Sequence, residues 1–481
     1  MASRNAPKII AIGLDSADPD LLVRWSDADA LPNLAALRAQ GVWGPLKTPE
    51  GLADDAVWPS FSTCVSPARH GRYHFKATLP GSYAAPRFRD HHFCRTPFWA
   101  SLSDAGKRVA ILDVPKSPRA SRINGVQLTD WRVHGRDDKT RSIPALLAGT
   151  LLGRFGEDRT DRPGSGEFQC NTALPNEQMR RDFMERLKRS VHDKTILAEE
   201  LLAREPWDLL LVVFKESHCA GHQCWPPGPD LREIYATLDS SIGRLLRFAG
   251  RETTVLVFSN LGMRANHTGN HLLDGILRRL ERRCRSRRDN ARIAADIFYH
   301  RARNRLGRPA ATSRHRLRCA FVLDHNEVSG AIRVNLAGRE PDGRIQSGAE
   351  LTALLRFLEA ELCALIDPAT GRRIVDKVIR TADRFEGENA DQLPDLLVVW
   401  AREQPITAAT SATIGTVTAL LPDYRPGNHI PGGSYFACGP GIHADPAPHP
   451  ASIVDIGPTI AKLLGTQLPG VDGQPIPVVG G

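Results

Sequence analysis

Short apolar runs, each ending where polar residues begin, constrain this chain more than any other feature. Ile9 to Leu14 is one such run, and it stops at Asp15. Val109 to Val114 is a second, and Leu209 to Phe214, a third, leads into Glu216-Ser217-His218. Thr254 to Phe258 is a fourth, ending at Ser259-Asn260. Runs of this length without alternation read as strands buried on both faces. Helical patterns lie between them, over Leu31 to Gln40, Asn176 to Leu202 and Leu231 to Phe248. Strands alternating with helices predict an α/β fold with a central, mostly parallel sheet flanked by helices on both faces. In such sheets ligands gather beyond the carboxyl ends of the strands, where these polar residues fall.

The second half reads differently. Arg278 to Arg318 is dense in arginine and poor in strand signals, which predicts a basic helical insertion or lid. Strands are expected at Ser329 to Leu336 and Asp395 to Trp400, and helices at Leu351 to Leu365 and Ala451 to Leu464. The expected division is therefore 1–277 as the first part of the core, 278–325 as the insertion and 326–481 as the C-terminal part. A formal charge of +9 favours anionic substrates such as phosphates, and equally nucleic acid or acidic lipid, without choosing among them. The arginine-rich stretch lacks interleaved aromatics or a recognised module, so it does not point to nucleic acid. Met1 to Lys8 shows no secretory h-region, and no stretch approaches a membrane span. The nine cysteines are scattered without a CxxC pair. Together these features lead us to expect reduced thiols and a cytoplasmic location.

Four segments supply candidate metal ligands: Gly13-Leu14-Asp15, His218-Cys-Ala-Gly-His222, Ser259-Asn260 and Gly427-Asn428-His429. An HxxxH on a helix puts both imidazoles on one face, as a zinc site needs. The same spacing also suits two histidines that bind nothing. Lys215 at a strand end is a candidate phosphate contact or a solvated edge residue. Glu216 is a candidate partner that orients a ligating imidazole. Trp131 and His134 follow the second strand, and His267 and His271 follow the Asn260 loop. His70 suits a role in stabilising its loop.

Lys8 to Gly44 resembles the opening of bacterial type I phosphodiesterase/nucleotide pyrophosphatase proteins of the alkaline phosphatase superfamily. The shared features are the first strand with its Gly-Leu-Asp, Leu31-Pro32-Asn33-Leu34 and Gly41-Val42-Trp43-Gly44. Trp58 to Gly71 resembles the family's segment after the nucleophile, and Ser259 to Met263 matches its Ser-Asp-His-Gly-Met block in part. Ile332 to Gly343, Asn428 to Ile442 and Ala451 to Gly473 resemble later blocks.

The resemblance implies two divalent metals. One site would use Asp, a nucleophilic Thr or Ser, a second Asp and a His; the other would use Asp and two His. By position, His218 stands for the Asp of the second set, with His222 and His429 matching. Three imidazoles suit zinc. In the first set Asp15 matches, but the Asp-His pair is Asn260-Leu261, and the nucleophile position falls on Asp54. An Asp15, Asp54 and Asn260 set would hold Zn, Mn, Mg or Ca, since hard ions favour oxygen ligands. Asp54 could be that ligand, a general base orienting water, or a direct nucleophile forming an acyl phosphate. His271 could replace the lost imidazole. Cys64-Val65-Ser66-Pro67-Ala68-Arg69 has one residue too many for the sulfatase C-x-P-x-R pattern. The expected function is a metal-dependent hydrolase or transferase of a phosphodiester or nucleotide-type substrate, with Asp54, Lys215 and His271 as catalytic candidates. The alternatives are a member repurposed for another biosynthetic reaction and a non-catalytic binder of a phosphorylated ligand.

Overall fold

A computed structural model describes residues 7–132, 139–156, 174, 176–284, 295, 314–323, 328–421 and 425–477. The chain divides into two compact units. One comprises Met1–Arg72, Arg89–Asn266 and Asp423–Gly481; the other comprises Tyr73–Phe88 and His267–Pro422. These divisions fall elsewhere than at the expected 278 and 326. Most of the arginine-rich stretch lies outside the described residues. Its described parts are the end of a helix, a 3-10 turn at Arg314–Leu317 and a strand at Ala320–Leu323.

In chain order the first unit begins with β1 (Ile9–Leu14), β2 (Val42–Lys47), β3 (Val109–Leu112) and β4 (Gly125–Thr129). It continues with β5 (Arg141–Ile143), β6 (Leu209–Phe214), β7 (Thr254–Ser259) and β8 (Gly262–Ala265). The second unit holds β9 (Ala320–Leu323), β10 (Ser329–Val334), β11 (Val375–Arg380), β12 (Leu396–Trp400), β13 (Ala408–Ser411) and β14 (Gly415–Thr418). The chain then returns to the first unit with β15 (Gly427–Ile430), β16 (Gly433–Cys438) and β17 (Ala451–Ser452). The first unit's helices up to β6 are α1 (Pro19–Asp27), α2 (Pro32–Gln40), α3 (Asp54–Thr63), α4 (Pro67–His70), α5 (Phe98–Asp104), α6 (Leu146–Phe155) and α7 (Glu177–Arg204). After β6 come α8 (Glu216–Gln223) and α9 (Pro229–Leu246), then α10 (Asn270–Cys284) and α11 (Ala349–Cys363) in the second unit, and α12 (Ile456–Leu463) in the first.

Nine strands of the first unit form one sheet in the order β17-β2-β16-β7-β1-β6-β3-β4-β5. The run from β7 to β4 is parallel throughout, and all four predicted runs are in it. Ile10, Ile12 and Leu14 of β1 face one core, with Leu34 of α2, Phe183 of α7 and Ile234 of α9. Phe258 of β7 faces the other way, against Trp58 and Phe61 of α3. Strands covered on both sides must be apolar at every position, which is why these runs do not alternate.

Asn33 and Leu34 begin α2 with their backbone N–H groups donating to the Asp239 carboxylate, 3.1 and 2.8 Å away. That bond gives the Leu-Pro-Asn-Leu block its role: it docks the N-terminus of α2 on α9.

The second unit is built on a four-stranded antiparallel sheet, β11-β12-β10-β9. The expected strands at Ser329 and Asp395 therefore pair with each other and do not join the parallel sheet. Asp54-Asp55 opens α3, where carboxylates suit the positive helix end. One local expectation is corrected. The helix expected from Ala451 starts only at Ile456. Ala451–Ser452 pairs with β2, and the Asp455 carboxylate accepts from Ser452 N at 2.8 Å, stopping the helix from extending further back. Among the described residues no helix is long and apolar enough to cross a membrane.

Candidate metal centre

Strand register assembles the site. Leu14 of β1 pairs with Phe214 of β6 and Ser259 of β7. Asp15, Lys215 and Asn260 therefore emerge abreast at the carboxyl ends of three adjacent parallel strands. Directly after Lys215 the chain enters α8, which carries His218 and His222 one turn apart. β15 pairs antiparallel with β8 just beyond Asn260, and its register sets His429 opposite Met263.

The three histidines meet. His218, His222 and His429 are all fully buried. Their ring centroids lie 4.6 to 4.7 Å apart with the planes steeply inclined. His218 Nε2 and His222 Nε2 are 3.1 Å apart. Tetrahedral zinc with bonds of 2.0–2.1 Å would hold neighbouring nitrogens about 3.3 Å apart. The carbonyl beside His222 Nδ1 fixes the tautomer of that ring, and the carboxylate beside His218 Nδ1 favours the same one. His222 Nδ1 donates to Gly427 O at 2.9 Å. His218 Nδ1 faces Asp15 Oδ2 at 3.2 Å. With a proton on each Nδ1, both Nε2 lone pairs turn to the common point, the arrangement that metal-bound histidines adopt. These three residues fit a metal ion.

The other half is built differently. Asp15, Asp54 and His218 each offer an atom within 4.8 Å of the others, a spacing that would suit an ion. Yet Asp15 Oδ1 accepts from Trp58 Nε1 at 2.9 Å, and its Oδ2 is the one beside His218. Asp54 Oδ2 lies 4.0 Å from His218 Nδ1, and the Lys116 ammonium binds that same oxygen. Lys116 also lies 3.6 Å from Asp55, whose other oxygen accepts from Arg72 Nη2 at 2.6 Å. Burial opposes the charge on Lys116, but the two carboxylates outweigh it and raise its pKa above the ordinary lysine value. Asn260 Oδ1 accepts from Ser16 N at 2.7 Å, while Asn260 Nδ2 is buried with no hydrogen-bond partner among the described residues.

The remaining candidates fall as follows. Lys215 is fully buried, not a solvated edge residue, because β6 lies inside the sheet between β1 and β3. Glu216 accepts from Ser190 of α7; Asp15 and Gly427 are the groups beside the imidazoles. His271 is on α10 in the second unit and belongs to neither candidate ligand group. His267 Nδ1 lies 2.8 Å from Arg402 O, also in that unit. His134 lies outside the described residues. Trp131 is fully buried in the core. His70 is buried at the end of α4 and bonded to Ser60 and the backbone of Arg72, a purely local role. Cys64 caps α3 in a left-handed conformation, and burial raises its thiol pKa far above the usual range.

Two cations escaped sequence reasoning. Lys116 follows β3, at the same sheet end as the residues that were singled out. Arg425 Nη1 is 3.4 Å from His222 Nε2, four residues before His429. Proximity to a strand end and to a ligand were the available signals.

The solved structure of phosphonoacetate hydrolase from Sinorhizobium meliloti, in complex with phosphonoformate, is similar at a TM-score of 0.56 and 14% identity, over 96% of each chain. Murine ectonucleotide pyrophosphatase / phosphodiesterase 5, in an inactive form in complex with AMP, is similar at a TM-score of 0.53 and 12% identity, again over 96% of each chain. At such identities the likeness is one of fold. No curated protein matches the sequence. The pattern of one family does, across residues 9–345. From its first strand through the Asp15, His218 and Asn260 positions, this chain belongs to the type I phosphodiesterase / nucleotide pyrophosphatase family.

Proposed function

We propose that the chain is a metal-dependent enzyme that hydrolyses or transfers a phosphate ester, with a phosphodiester or nucleotide-type compound as substrate. One observation carries this reading: three buried imidazoles face a common point, and the Nδ1 atoms of His218 and His222 are committed to Asp15 and Gly427. Nitrogen ligands and buried surroundings match zinc best. A bound ion would supply charge stabilisation for phosphoryl oxygens. Family membership and the phosphorus-containing ligands of both similar structures support the substrate class.

The chain's own groups then take these roles. Asn260 Nδ2, a buried donor without a partner among the described residues, offers a hydrogen bond to a phosphate oxygen. Arg425, beside His222, adds positive charge for an anionic substrate. Asp54 stands where the family has its nucleophilic hydroxyl and acts as a base for an attacking water, giving one-step hydrolysis. That missing hydroxyl also favours a second reading, in which the same site serves a different biosynthetic reaction.

Metal analysis of the purified chain, before and after chelation, together with hydrolysis of bis(p-nitrophenyl) phosphate, tests the proposal. Bound metal and an activity lost on chelation and in His222→Ala are the expected results. Bound metal with no cleavage of any phosphate ester would favour the second reading. A chain that takes up no metal would overturn both.

A further inference from the structure

The resemblance leads one to expect two metal ions, yet the residues fit only one. Among the groups expected to hold the other, one oxygen of each residue is already engaged. Asp15 is turned between Trp58 and His218, and Asn260 Oδ1 is held by Ser16 N. The Asp54 oxygen that faces His218 is bound by the Lys116 ammonium. Lys116 and Asp54 are each only 7% exposed, so water does little to loosen the pair.

The charges of this cluster also close on themselves. Asp54 and Asp55 carry two negative charges, and Lys116 and Arg72 carry two positive ones. Arg72 donates to Asp55 at 2.6 Å and from Nη1 to Lys116 O at 3.3 Å, which ties the lysine's backbone to the same network. Lys116 itself has a φ of 52°, a left-handed turn conformation that carries the chain from β3 back over α3. A divalent ion placed between Asp15 and Asp54 would face an ammonium bound to the oxygen it needs. The tri-histidine half presents imidazoles, not a carboxylate, to the cation beside it: Arg425 Nη1 is 3.4 Å from His222 Nε2, and Asp15 supplies the carboxylate behind His218.

We infer that this is a one-metal, one-ammonium centre, in which Lys116 stands as the second cation of the site and Asp15 orients His218 instead of binding an ion of its own. The inference rests on the metal-dependent reading above and deepens it. It assigns Lys116 the electrostatic role of the expected second ion: its ammonium holds the Asp54 carboxylate in place. Asp54 is then left to work on water, not as a ligand.

Metal stoichiometry tests this without any substrate. The purified full chain is saturated with Zn²⁺ or Mn²⁺, desalted and analysed for metal and protein. One ion per chain is expected, and an anomalous-difference map should show a single peak among His218, His222 and His429. Two ions per chain, or a peak within bonding distance of Asp54 Oδ2, would overturn the inference and leave the metal-dependent reading standing. No bound ion would overturn that reading and this one with it. In Lys116→Gly, which suits the left-handed backbone, the bare carboxylates should admit a second Mn²⁺, doubling the stoichiometry. A folded variant that still binds one ion would show that the lysine is not what excludes the second. If Lys116→Gly does not fold, Lys116→Asn serves, and the anomalous map of the unaltered chain decides independently.

Discussion

Asp15 Oδ2 lies 3.2 Å from His218 Nδ1, and both side chains are almost wholly buried. The carboxylate is in turn held by Trp58 through its other oxygen. A carboxylate at this place favours a proton on His218 Nδ1, which Ser16 Oγ also approaches at 3.4 Å. Asp15→Asn keeps the shape but weakens the pull on the Nδ1 proton. Metal affinity at the three histidines should fall about 10- to 100-fold. Competition with a fluorescent chelator measures it; an unchanged dissociation constant would mean that Asp15 does not act through His218.

The backbone oxygen of Gly427 fixes the second imidazole, and the position admits no side chain. A Cβ there would lie 2.0 Å from Gly221 O of α8 and 2.9 Å from Trp225. Gly427→Ala must push β15 away from α8, which moves both His429 and the acceptor of His222. We expect a loss of roughly 1–3 kcal/mol of stability together with weakened metal binding. Gly149→Ala is the control: it is inside α6, and beyond its own helix backbone none of the described residues lies within 4 Å of its Cβ. There the change should raise stability by about 0.5–1 kcal/mol. Thermal unfolding with and without metal separates the two cases.

The sheet was legible because its parallel strands are covered on both faces. Ile9–Leu14 and Leu209–Phe214 could hardly be anything else, and the residues at their ends followed. The histidines were legible because HxxxH has a helical meaning. What stayed hidden is which partner each polar atom takes. Asp15 and Asn260 are the same residue types whether they bind an ion, a ring nitrogen or a backbone N–H, and only the register of β1, β6 and β7 decides. Lys116 was invisible for the same reason: Pro115-Lys116-Ser117 reads as an ordinary turn, and its side chain finds Asp54 across a sequence separation of 62 residues. The second unit was hidden because Ser329–Val334 and Leu396–Trp400 look like any buried strands, and their antiparallel pairing leaves no mark in the sequence.

Removing the charge of Asp54 separates binding from chemistry. If Asp54 is the base and the ion sits only among the histidines, Asp54→Asn should retain one bound metal. Its kcat on a phosphodiester should drop about 10²- to 10⁴-fold, the usual yield of general base catalysis, with a smaller change in KM. Metal lost along with activity would place Asp54 among the ligands instead. The two measurements on one preparation are enough to decide.

His70 makes a prediction about acid stability that does not involve the metal. Its ring is buried, and Arg72 N donates to Nδ1 at 3.1 Å, so the proton of the neutral ring sits on Nε2, 3.0 Å from Ser60 Oγ. Burial, and then the nearby Arg72 charge, lower its pKa to about 3. In the unfolded chain the ring titrates near the ordinary value of about 6.5. Between these two values the unfolded chain binds one more proton than the folded chain. This group's contribution is therefore fully present above about pH 6.5 and declines as pH falls toward 3, by on the order of 1.4 kcal/mol per pH unit. His70→Gln has no such proton to bind. Its unfolding free energy, from urea titrations between pH 4 and 6.5, should fall less steeply by up to one proton's worth. An identical slope in both proteins would show that His70 is charged in the folded state, and the Arg72 N–H would then need another acceptor. A nitrogen-15 spectrum of the ring distinguishes these states directly, since the neutral Nε2–H form and the imidazolium differ at Nδ1.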